Sequence, residues 1–142
     1  MLVQVALIAI ATILATASIS LPGALSDSGN AFLKGFVNQE LLATLGVIVT
    51  ITLASAGSIH IELGKLGRQL SVNFDREKQA VRASAYLLIA IFLASLVLVV
   101  LKPIVATAER ASAFANSAGI FLLVWAVAVL YDLTRAAFRI SR

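Results

Sequence analysis

The sequence predicts an all-α fold, a single bundle of four membrane-crossing helices with both termini on the cytoplasmic side. Three observations predict it. Apolar residues make up 61% of the 142-residue chain, against roughly 45–50% in ordinary soluble domains. Only 13% of residues are charged, and they leave 2–26, 41–61, 83–101 and 111–131 without a single charge. Those windows cover more than half the chain. A soluble domain of this size keeps most of its surface in water and cannot accommodate so many long uncharged stretches. Each window also approaches or reaches the ~20 residues that a helix needs to cross a bilayer.

The first span is expected at about 2–21, ending at Pro22-Gly23. Ala15-Thr16-Ala17 offers a small-x-small cleavage pattern. No basic stretch precedes it, however, and the apolar run exceeds that of a signal peptide, so the segment is read as a retained span. The connection 22–35 carries Pro22, Gly23, Asp27, Gly29 and Asn30, then Phe32 and Leu33. It is expected as a short turn or helix along the outer membrane surface. The second span is expected at about 36–63, with Gly64 and Gly67 as stop signals. Asn73 is the expected cap of the next helix, with Asp75 and Glu77 in its first turn. That helix should run unbroken into a third span at 82–101, ending before Pro103. The fourth span is expected at about 113–133. Alternating strands of a barrel are absent from the pattern.

Basic residues set the orientation. Lys65, Arg68, Arg76, Lys78, Arg82, Arg135, Arg139 and Arg142 fall on the side of the termini and the hairpin 64–82. Lys34, Lys102 and Arg110 fall on the other. The first side is therefore cytoplasmic, and an integral position in a bacterial inner (plasma) membrane is expected. The net charge of +4 suits anionic head groups. No nucleic-acid module accompanies it. The chain has no cysteine, which removes disulfides and thiolate metal sites.

The second span has two distinct faces. Glu40, Thr44, Ser55, Ser58 and Glu62 share an arc of about 60°. Gly46, Thr50, Ala54 and Gly57 form a stripe of small residues beside it, and such stripes let helices approach closely in lipid. The polar arc reads either as the wall of a pore or cavity or as inter-helix hydrogen bonding. Ser84, Ser95 and Lys102 share one face of the third helix. Lys102 reads as part of a basic ring in an oligomer or as an anchor snorkelling to head groups. Lys65, Arg68, Arg76, Lys78, Arg135, Arg139 and Arg142 are candidate contacts to lipid or a protein partner, and Asp132 is a local partner for Arg135. His60 is the one histidine. Alone, without cysteine, it lacks the companions of a zinc or haem site, and it reads as an interfacial residue.

No catalytic, cofactor or metal set emerges, so the chain is not expected to be an enzyme. No ionisable residue lies mid-span, which argues against an ion-coupled transporter. The leading expectation is a small homo-oligomer that controls membrane permeability, as a pore-forming effector or channel. In size and span count alone, the chain resembles the small four-span membrane effectors of bacterial defence and toxin systems. The alternative is a non-conducting anchor or accessory subunit, whose cytoplasmic hairpin and Arg-rich tail dock a soluble protein.

Overall fold

The computed structural model describes residues 2–70 and 74–140. The described chain is almost wholly helical, with no strand among the described residues. Its order is α1 (Leu2–Ser20), α2 (Pro22–Leu25), α3 (Ala31–Gly35), a wide kinked turn (Phe36–Glu40), α4 (Leu41–Leu70), α5 (Asp75–Val105) and α6 (Glu109–Ile140). Four segments are long and apolar enough to cross a membrane: Val3–Ser20, Ala31–Gln69, Asp75–Val105 and Glu109–Phe138. The chain is an integral membrane protein by this measure.

Helices α4, α5 and α6 pack pairwise into a three-helix core, and α1 lies against α6. The core joins Leu41 and Leu45 of α4, Leu88 and Ile91 of α5, and Ala126, Val129 and Leu133 of α6. Only 6% of the spanning window of α1 is buried, against 39% for α6, so α1 is a peripheral helix. Small residues on α6 permit the close approach. Ala113, Ala115, Asn116 and Ser117 are all buried. At Gly119 a Cβ would stand 2.6 Å from Val37 Cγ1 and 3.2 Å from Leu41 Cδ2. Only a hydrogen fits there.

The structure moves several expected boundaries. The expected stops at Gly64 and Gly67 do not end α4, which continues to Leu70. Each interior glycine costs a helix ~1 kcal/mol, a loss set against burial of Leu63. Pro103 likewise sits inside the last turn of α5. Its missing N–H forfeits one hydrogen bond there, and the Ala106 N–H closes the helix on the Lys102 carbonyl at 2.9 Å. The expected continuity of α5 from its charged first turn into the span is present, and at ~1.5 Å per residue its 31 residues reach about 46 Å. Asn73, the expected cap, lies outside the described residues; the Phe74 carbonyl accepts the first bond of α5, from the Lys78 N–H at 3.0 Å.

The connection 22–40 differs most from expectation. Short helices are present there as expected, but they are packed into the bundle: α2 packs on α6, Leu33 and Val37 enter the core, and Ser26 is fully buried. Asn30 caps α3, its Oδ1 accepting the Leu33 N–H at 3.1 Å while its Nδ2 donates to the Ala24 carbonyl. Gly29 fits against Gly23 so closely that a Cβ would collide with the Gly23 carbonyl. The backbone then breaks at Val37 (ψ 59°) and Asn38 (φ −152°, ψ −131°) before α4 begins. This segment is a folded cap over one end of the bundle.

Candidate functional site

Beneath the cap lies a polar cluster whose members come from three parts of the chain. Lys102 is 7% exposed. Its Nζ lies 2.9 Å from Asp27 Oδ1 and donates to the Val37 carbonyl at 3.2 Å. The kink supplies that carbonyl, because a broken helix leaves a backbone acceptor without its usual partner. Asn116 of α6 donates from Nδ2 to Asp27 Oδ1 (2.9 Å) and to the Leu25 carbonyl (2.7 Å). The Asp27 N–H donates to Ser112 Oγ at 2.9 Å. One turn along α6, the Ser117 and Ser18 hydroxyls meet at 2.7 Å and tie α1 to α6.

Charge is balanced within this cluster. Burial on its own raises the Asp27 pKa. Hydrogen bonds from Asn116 and Lys102, the Lys102 charge and the Ser112 hydroxyl outweigh it and hold the carboxyl below its ordinary range. Asn116 Oδ1 is buried without a hydrogen-bond partner among the described residues.

These contacts revise the reading of Lys102. Its ammonium is buried and paired inside its own protomer. An ammonium at a helix end must be solvated or paired, and the cap brings it Asp27. Ser95, placed with Lys102 on one face, is also fully buried, its hydroxyl returned to the Ile91 carbonyl at 2.9 Å. Ser84 is half-buried. The shared face of α5 therefore points into the bundle.

The polar arc of α4 does the opposite. Glu40, Thr44, Ser55, Ser58 and Glu62 are all exposed on the protomer surface. The Ser55 and Ser58 hydroxyls donate to the Ile51 and Ala54 carbonyls at 2.9 and 3.1 Å. They bond their own helix, not a neighbouring one. The small stripe divides. Gly46 is half-buried, and a Cβ there would stand 3.9 Å from Phe92 Cε2 of α5. Thr50, Ala54 and Gly57 are exposed, and a Cβ on Gly57 would meet nothing within 4 Å. Part of the stripe thus packs within the protomer, and part forms an open groove.

At the opposite end from the cap, Lys65, Arg68, Arg76 and Arg135 are exposed, and Lys78 is half-buried. Arg142 and the side chain of Arg139 lie outside the described residues. Asp132 and Arg135 form no ion pair with each other. His60 is half-buried and lines a cleft of about 380 Å³ between α4 and α5, with Arg82. Among the described residues no cluster of three or more metal-ligating side chains occurs.

Sequence reasoning missed Asp27, Ser112, Asn116 and Gly119. A signal existed for two of them. Asp27 is the first charge after a long uncharged run, and Asn116 is the one amide in the fourth span. Compared with known protein families, with curated proteins and with solved structures, the chain shows no match.

Proposed function

We propose that the chain works as a homo-oligomer in a bacterial inner membrane and controls its permeability, as a channel or as a pore-forming effector of a defence or toxin system. One observation carries this reading: α4 turns its polar arc and the open part of its small-residue stripe away from its own bundle. The protomer's interior is filled by Leu41, Leu45, Leu63 and Leu88, all fully buried, and that packing leaves a polar path to be built between protomers. Gly57 and Ala54 let a second α4 approach closely, and Thr44, Ser55 and Ser58 line the adjacent face. Glu40 and Glu62 then stand at its two mouths, where carboxylates favour cations. The hairpin end, with its exposed mixed charge, is the gate.

Ion flux from liposomes holding the purified protein tests this reading. Wild-type protein should release trapped ions, and the Ser55→Ala/Ser58→Ala variant should change the rate or the ion preference. Ala54→Leu/Gly57→Leu should lower the oligomer and the flux together. Bilayers that stay silent at every protein-to-lipid ratio, with the oligomer intact, would refute the pore. They would favour a non-conducting anchor whose cytoplasmic hairpin and Arg-rich tail hold a soluble partner.

A further inference from the structure

We propose that the end of the bundle opposite the cap holds a zwitterionic phospholipid carrying a primary amine, of the ethanolamine class. The proposal is independent of the permeability reading. Two clefts meet there. One, of about 640 Å³, lies between peripheral α1, α5 and α6, and has Leu7, Leu87, Trp125 and Val129 in its wall. The other, of about 510 Å³, opens between the start of α5 and the end of α6 and includes Glu77. Ser84, Asp132 and Arg135 line both. Each volume is within the ~300–1,000 Å³ of ordinary ligand sites.

The position of this joint cleft fixes the class of occupant. Its apolar wall belongs to the uncharged windows of α1, α5 and α6, which lie in hydrocarbon. Glu77, Asp132 and Arg135 sit just beyond the ends of those windows, at head-group depth. Tyr131 beside them and Tyr86 on the next turns of α5 are exposed, as interfacial aromatics are. The occupant therefore has a polar head and an apolar tail, and the weakly buried α1 leaves the cleft open sideways to the bilayer.

Charge selects the head group. Among the described residues, Glu77, Asp132 and Arg135 form no ion pairs, yet they face one space with two negative charges and one positive. A lone anionic head would meet a net repulsion. A phosphate on the Arg135 guanidinium, with an ammonium reaching Asp132 and Glu77, satisfies all three. A primary ammonium donates hydrogen bonds to carboxylates, and a quaternary one cannot. Ethanolamine is thus favoured over choline.

Trp125 is the single tryptophan and lines the cleft, so its fluorescence reports the occupant. The protein is placed in vesicles containing equal fractions of brominated ethanolamine, choline or glycerol phospholipid. Ethanolamine lipid should quench Trp125 with at least ~3-fold higher apparent affinity than the other two. Asp132→Asn/Glu77→Gln should bring ethanolamine down to the choline level, and Arg135→Gln should weaken both phospholipids alike. These side chains are exposed, so the helical circular dichroism should be unchanged. Equal quenching by ethanolamine and choline lipids would overturn the proposal. So would stronger quenching by the anionic glycerol lipid, or an ethanolamine preference that survives in Asp132→Asn/Glu77→Gln.

Discussion

Replacing Asp27 by alanine should cost more stability than replacing Lys102 by methionine, although the two are halves of one ion pair. The asymmetry follows from burial. The Lys102 side chain is 8% exposed and that of Asp27 is 31% exposed. Asp27→Ala strands the ammonium beneath the cap with the Val37 carbonyl as its remaining acceptor. Breaking a buried pair from one side costs ~3–5 kcal/mol, and the partial exposure of this pair places the loss near ~3 kcal/mol. Lys102→Met removes the buried charge itself. Asp27 keeps Asn116 Nδ2 and access to water, but the buried Val37 carbonyl loses its donor, so the loss is about 2 kcal/mol, the cost of one unsatisfied buried acceptor. The double variant strands no charge, only the Val37 carbonyl, and should lose about 2 kcal/mol, well short of the sum. Equilibrium unfolding in mixed micelles, followed by Trp125 fluorescence, measures all three. Equal single losses that add within ~0.5 kcal/mol would show that the pair is uncoupled and refute the account of the cap.

Other consequences are open to measurement. Gly119→Ala pushes a methyl to 2.6 Å from Val37 Cγ1 and should destabilise the bundle by ~1–3 kcal/mol, whereas Gly57→Ala, with open space around it in the interior of α4, should raise the unfolding midpoint, by up to ~1 kcal/mol of stability. Asp27 also gives a pH dependence. Its folded-state pKa is lowered, so its contribution is complete above the unfolded carboxylate value of ~3.9 and is lost as pH falls through the lower folded value. The stability difference between wild type and Asp27→Asn should therefore be flat from neutral pH to about 5 and shrink in stronger acid; a difference that grows in acid would reverse the assigned sign. Ser95→Ala should be close to neutral, because its hydroxyl bonds the Ile91 carbonyl of its own helix, while Asn116→Ala should loosen the cap, losing bonds to both Leu25 and Asp27. Hydrogen exchange at Leu33, bonded to Asn30, reads that loosening.

The sequence by itself determined the number and place of the membrane-crossing helices. A bilayer demands ~20 uncharged, self-bonded residues at a stretch, and that demand is local, so the charge-free windows reveal it without any knowledge of packing. It also determined that Thr44, Ser55 and Ser58 share a face, since helical geometry is periodic. It could not decide where that face points, because periodicity carries no information about neighbours. Only the tertiary structure turned Ser95 and Lys102 inward and left Ser55 and Gly57 outward. The cap is the extreme case. Asp27 and Lys102 are 75 positions apart, and what joins them is a kink at Val37–Asn38 and the missing side chain of Gly119. Both are consequences of three segments meeting in one place, where a buried ammonium must find a carboxylate or leave the membrane.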